Sequence, residues 1–185
     1  MNVLMPLAEG FEESEAVVVI DLLRRAGIAV TIAATGETRS VTASRNVVLV
    51  AETLWQEVDL DACDALVLPG GGPGTARLKA DTRVLNAVRA FHTQGKTIGA
   101  ICAAPAVLAA AGILAGHAFT CYPGCEKGLA GTRYTSQAPV VADGNVITSQ
   151  GPGTSFEFAL ALVERLAGAA TAAQVAAGLC LRQQS

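Results

Sequence analysis

The stretch from Ile98 to Gly116 carries no charged side chain, and how the chain disposes of it decides the architecture. An apolar run of this length could cross a bilayer as one helix, but Pro105 and the glycines at 99, 112 and 116 cut it into shorter pieces. Thr97 to Ile101 then reads as a buried strand, Cys102 as a sharp turn, and Ala103 to Ala111, with Pro105 in its first turn, as a helix. A thiol at such a junction faces the unpaired N–H groups and positive dipole end of the helix, which favour thiolate over thiol. Cys102 is therefore the candidate nucleophile.

The rest of the chain repeats the alternation of strand and helix. Asn2 to Pro6 is a short apolar run, and Glu12-Glu13-Ser14-Glu15 opens a helix that ends at Arg24-Arg25-Ala26-Gly27, acidic at its start and basic at its finish. Ile28 to Ala33, Val47 to Val50 and Ala65 to Leu68 are further apolar runs, the last leading into Pro69-Gly70-Gly71-Gly72-Pro73-Gly74. Helical spacing predicts a helix over Leu78 to Phe91. Ala138 to Ala142 and Val146 to Ser149 flank Asp143-Gly144 as a hairpin, and helices follow from about Ser155 to Leu166 and Ala172 to Leu181. This pattern predicts one α/β domain over residues 1–185, with a mainly parallel sheet covered by helices on both faces. In such a sheet chemistry collects at the carboxyl ends of the strands, where Glu15, the glycine loop and Cys102 all fall.

Composition narrows the possibilities. A net charge of -3 over 185 residues leaves no basic footprint, so no nucleic-acid complex is expected. The first residues lack a basic region followed by a long apolar stretch, which points away from export. Five cysteines form no small-domain disulfide framework in a chain of 185 residues, and a reducing cytoplasm fits them best. Cys121-x-x-x-Cys125 stands alone, and His92 and His117 lie in unrelated contexts, so no metal site is expected. The glycine loop matches neither nucleotide-binding pattern.

Two features next to Cys102 bear on its chemistry. Gly70-Gly71-Gly72 can offer bare backbone N–H groups to an oxyanion. A carboxylate at Glu15 would repel a thiolate, so that pair is sensible only if the carboxyl keeps its proton and donates it in a hydrogen bond, a form that burial favours.

Ala100-Ile101-Cys102-Ala103-Ala104-Pro105, with Leu68-Pro69-Gly70-Gly71 and Ser149-Gln150-Gly151-Pro152-Gly153-Thr154-Ser155-Phe156-Glu157-Phe158-Ala159, resembles the ThiJ/PfpI superfamily. Within it the chain is similar to the branch of the parkinsonism-associated protein deglycase and YajL. Glu12 to Glu15, Asp21 to Gly27 and Ser44-Arg45 extend the likeness over nearly the whole chain. The resemblance implies a flavodoxin-like three-layer sandwich, a homodimer, and no cofactor. It implies Cys102 as the nucleophile, Glu15 as its acidic partner, and Gly70, Gly71, Ala103, Arg45 and Tyr122 as oxyanion or substrate-binding positions. An arginine of the Arg24-Arg25 pair would approach from the other subunit. Two departures stand out. Ala103 replaces the histidine of the peptidase-like branch, which disfavours proteolysis, and Tyr122 stands where the human-type members carry a histidine.

These expectations lead to a cysteine enzyme acting on small reactive aldehydes such as methylglyoxal, or on their early adducts with protein or nucleic-acid groups. The alternative is a redox-sensing stress protein or chaperone that uses oxidation of Cys102 without turnover. An amidotransferase-like hydrolase is weakened by the missing histidine. No membrane partner is expected.

Overall fold

The computed structural model describes residues 1–129 and 131–181. In chain order the elements are β1 (Asn2–Leu7), α1 (Glu13–Arg25), β2 (Ala29–Ala34), β3 (Ser40–Thr42), β4 (Val48–Val50), β5 (Thr53–Leu54), β6 (Ala65–Leu68), α2 (Gly72–Ala80), α3 (Thr82–Thr93), β7 (Thr97–Ile101), α4 (Pro105–Ala110), β8 (Ala118–Phe119), β9 (Arg133–Tyr134), β10 (Val140–Asp143), β11 (Val146–Ser149), α5 (Ser155–Ala167) and α6 (Ala169–Ala177). Seven strands form one sheet in the order β10-β11-β7-β6-β1-β2-β5. Every pair is parallel except the β10–β11 hairpin. The central order β2-β1-β6-β7-β11 is the flavodoxin-like doubly wound order, which reverses direction beside β1.

The strands are uninterrupted apolar runs because both faces are covered. Val3, Met5, Leu7, Val67, Ile101 and Ile147 point to one face, where they pack with Val19 and Leu23 of α1, Phe158 and Leu162 of α5, and Val175 of α6. Leu4, Leu66, Leu68, Ile98 and Ala100 point to the other, against Leu78 of α2, Val88 and Phe91 of α3, and Leu108 of α4. Each buried side chain of this size contributes about 1.5 to 3 kcal/mol. The uncharged stretch is thus absorbed as β7 and α4, and no helix among the described residues is long and apolar enough to cross a membrane.

Three expectations are revised. The helix predicted over Leu78 to Phe91 is two helices that meet at Asp81, an extended residue whose side chain accepts the Arg83 amide at 2.9 Å and so caps α3. α2 begins at Gly72, inside the apparent loop, with Pro73 in its first turn where its missing N–H costs no bond. The Val47 to Val50 run does not join the sheet: β4 pairs only with β3, and Val48 and Val50 are exposed.

Candidate active site

Because β1, β6, β7 and β11 run parallel, the segments that follow them meet at one edge of the sheet. β1 leads into the first turn of α1 and Glu15, β6 into Gly70 and Gly71, β7 into Cys102, and β11 into Gly151 and Pro152.

Cys102 occupies a left-handed conformation with φ 64°, which costs a non-glycine residue about 1 to 3 kcal/mol and persists only when its surroundings enforce it. Two bonds do so. The Cys102 amide donates to the Ser149 carbonyl at 3.0 Å, and its own carbonyl accepts from the Tyr122 amide at 2.9 Å. The bend lifts the thiol out of the β7 ladder into an open pocket of about 350 Å³, lined also by Glu12, Arg45, Gly71, Ala103, Tyr122 and Cys125.

Gly70 lies directly against the thiol. A Cβ there would sit 2.6 Å from Cys102 Cβ and 2.7 Å from Glu15 Oε2, so no larger residue fits without displacing one of them. Gly71 has φ 88°, and a side chain would run into the backbone of Gly10, Phe11 and Glu12. The close approach of these loops puts a fully buried Glu15, 0% exposed, beside Cys102. Glu15 Oε2 accepts the Gly70 amide at 2.7 Å, while Oε1 is enclosed without a partner.

Burial pushes the Glu15 carboxyl up to about 7, against the opposing pull of the Gly70 amide and the Cys102 thiol, with the Glu12 charge adding to the rise. Burial also pushes Cys102 up to about 12, reinforced by the charge and hydrogen bond of Glu15, while the Gly71 and Ala103 amides act to lower it. Both displacements describe one coupled pair. When Glu15 keeps its proton, its repulsion of the sulfur disappears, leaving burial to raise the thiol and the two amides to lower it.

This corrects the electrostatic expectation from sequence. α4 starts only at Pro105 and has 6 residues, and the groups that favour the thiolate are the individual amides of Gly71 and Ala103 rather than a helix end. The Gly70 amide, expected to line an oxyanion site, is committed to Glu15. The amides that act to lower the thiol pKa are those of Gly71 and Ala103.

The remaining predicted positions divide. Arg45 and Tyr122 both line the pocket. The Arg45 amide donates to Glu13 Oε1 at 3.0 Å, and Ser44 Oγ is shared by Glu12 Oε2 at 2.8 Å and Glu13 Oε2 at 3.0 Å. Glu12 and Glu13, which read as helix-start charges, therefore clamp the β3–β4 connection to the rim. The Tyr122 ring lies over Gly151. Arg24 and Arg25 sit at the other end of α1, where Arg24 pairs with Glu52 at 2.7 Å and Arg25 with Asp21 at 2.7 Å. Within one chain neither reaches the pocket. Among the described residues no group of three or more His, Cys, Asp or Glu is placed to hold a metal ion.

Some contacts left no sequence signal. Ser149 and Tyr122 hold Cys102 through backbone atoms, which any residue could supply, and Cys125 reaches the pocket only through the turn in which its amide bonds the Tyr122 carbonyl at 2.9 Å.

The model of the DJ-1/PfpI family matches residues 1–165. The Parkinson disease protein 7 homolog of Danio rerio is 44% identical over 182 residues, covering 97% of this chain and 96% of that protein. The glutathione-independent glyoxalase DJR-1.2 of Caenorhabditis elegans is 35% identical over 181 residues, covering 97% and 95%. The crystal structure of Drosophila melanogaster DJ-1beta superposes with a TM-score of 0.94 at 41% identity, covering 98% of each chain.

Proposed function

The chain belongs to the DJ-1/PfpI family, and on that premise we propose that it is a cofactor-independent enzyme converting small reactive aldehydes such as methylglyoxal to hydroxy acids. The observation that carries this reading is the buried Glu15, protonated up to about pH 7, beside a thiol that opens on a pocket of about 350 Å³. A relative that is 35% identical is named a glutathione-independent glyoxalase.

The sulfur of Cys102 adds to the aldehyde carbon while Glu15 passes a proton to the aldehyde oxygen, giving a hemithioacetal and leaving Glu15 as a carboxylate. The Gly71 and Ala103 amides, which act to lower the Cys102 pKa, would receive charge that develops on that oxygen. Glu15 removes the proton from the former aldehyde carbon and returns it to the neighbouring carbonyl carbon through an enediol. Water then cleaves the resulting thioester, releasing a hydroxy acid and the thiol. Methylglyoxal plus one water becomes lactate with no external oxidant. Arg45 and Tyr122 contact substrate from the rim. The same addition would act on early adducts of such aldehydes with protein or nucleic-acid groups.

Lactate formation from methylglyoxal in a thiol-free buffer tests the reading. Wild type should turn over, and Cys102→Ser and Glu15→Gln should not. Equal rates in wild type and Cys102→Ser would refute it.

A second reading rests on the same amides. Gly71, Ala103 and a protonated Glu15 would also stabilise an oxidised Cys102 sulfinate, which suits a redox-sensing stress protein or chaperone. Selective oxidation of Cys102 without turnover would favour it. We further propose a homodimer, supported by the exposed Val17 on α1 and Val48 and Val50 on the hairpin clamped to it, with light scattering as the check. The free state of all five cysteines supports a cytoplasmic location.

A further inference from the structure

Behind Ala103 lies a second cleft, of about 340 Å³, that no step of the proposed reaction uses. Gly72, Ala103 and Cys125 line both cavities, and Ala103 is the chain neighbour of Cys102. The second cleft therefore starts one residue from the sulfur.

Its charge is one-sided. Lys79 of α2 and Lys127 line it, and no Asp or Glu does. Neither lysine takes part in an ion pair among the described residues. Glu126, the carboxylate beside Lys127, turns its Oε2 to the Gly124 amide at 2.6 Å. Thr75, in the first turn of α2, borders the same cleft and is only 5% exposed, yet its hydroxyl is enclosed without a hydrogen-bond partner. An enclosed hydroxyl with no partner is costly, and turning it into the cleft onto a bound acceptor would relieve that cost. Two like charges facing one concave surface concentrate anions there.

We propose that this cleft is an anion-binding annex of the reactive pocket, which takes the phosphate or carboxylate group of a substrate whose carbonyl carbon lies at Cys102. The substrate class rests on the aldehyde reading above; the anion site does not. Methylglyoxal is neutral and small and leaves the annex unused, whereas a carbonyl compound with a phosphate or carboxylate a few bonds away spans both cavities. Lys79 and Lys127 supply the charge and Thr75 a neutral donor.

Alkylation of Cys102 measures the site without turnover. The ratio of rates with iodoacetate (anionic) and iodoacetamide (neutral) is taken relative to free cysteine at the same pH. It should fall about two-fold in Lys79→Gln or Lys127→Gln and about four-fold in the double variant, as loss of a screened charge near a reacting centre predicts. Inorganic phosphate or acetate, titrated at constant ionic strength, should lower the wild-type ratio, and whichever acts at the lower concentration is the group the annex fits. Thr75→Val should weaken that effect and Thr75→Ser restore it. An unchanged ratio in the double variant, or no response to either anion, overturns the annex. A high ratio in a protein that makes no lactate would instead leave the annex standing and remove the aldehyde enzyme.

Discussion

Glu15 Oε2 accepts the Gly70 amide proton at 2.7 Å, and that bond leaves Oε1 as the oxygen able to carry the acid proton. A backbone N–H cannot donate to a protonated hydroxyl as well as to a bare oxygen, so the loop after β6 orients the carboxyl and also selects which of its oxygens is protonated. Gly70 is thus a positioning residue for Glu15 rather than a donor to substrate.

The first consequence is thermodynamic. The folded state holds the Glu15 proton up to about pH 7, whereas the unfolded chain releases it near 4.5. The group's stabilising contribution is therefore complete below pH 4.5 and is lost as pH rises through 7, amounting to about 3 kcal/mol. Urea denaturation at pH 5 and pH 8 should show a drop in wild type that is smaller by this amount in Glu15→Gln. Identical pH dependence in the two proteins would contradict a proton held at Glu15.

The second concerns reactivity. The Glu15 proton leaves near pH 7, while the Cys102 proton is held up to about 12 by burial and then by the Glu15 charge. The rate of Cys102 alkylation by iodoacetamide should therefore stay low through pH 7 in wild type and climb only above the ordinary cysteine range of about 8.5. In Glu15→Gln the carboxylate charge is gone and burial remains, so the climb should begin at lower pH than in wild type. A climb at the same pH in both proteins would show that Glu15 does not act on the sulfur.

A methyl group at Gly70 should be poorly tolerated. In Gly70→Ala the new carbon meets Cys102 Cβ at 2.6 Å and Glu15 Oε2 at 2.7 Å, and such overpacking costs about 1 to 3 kcal/mol. Misplacing the pair should slow turnover by about 10²-fold even where the protein stays folded. Full activity with a native denaturation midpoint would show that the loop can yield.

Ser44→Ala removes the hydroxyl shared by Glu12 and Glu13 and leaves two carboxylates facing one another across the rim. We expect a loss of about 1 to 2 kcal/mol and a raised KM as Arg45 loses its fixed position. A thermal melt and a substrate titration decide this, and an unaltered melt with unaltered KM would show that the clamp is idle.

The alternation of elements, the sheet class and the convergence of Glu15, Gly70, Gly71 and Cys102 were legible in the sequence, because buried parallel strands and a proline-led helix leave strong local patterns. What was hidden is long-range or very short. The break at Asp81 depends on one side chain choosing to cap α3 inside an otherwise helical stretch. The Val47 to Val50 run has strand composition, yet it pairs only with Ser40–Thr42. β5, β8 and β9 have 2 residues each, too few for any periodicity. At the site the thiol's surroundings misled local reasoning: the dipole argument considered α4 alone, whereas desolvation and a carboxyl from α1 dominate.

The left-handed bend at Cys102 has a practical corollary. Its two clasps belong to Ser149, on the adjoining strand, and to Tyr122, in the loop beyond β8. Transplanting residues 97–111 into an unrelated parallel sheet would carry the sulfur without its bearing, and the graft would relax to an ordinary turn. A synthetic mimic of this centre has to import the neighbouring strand and loop along with the cysteine.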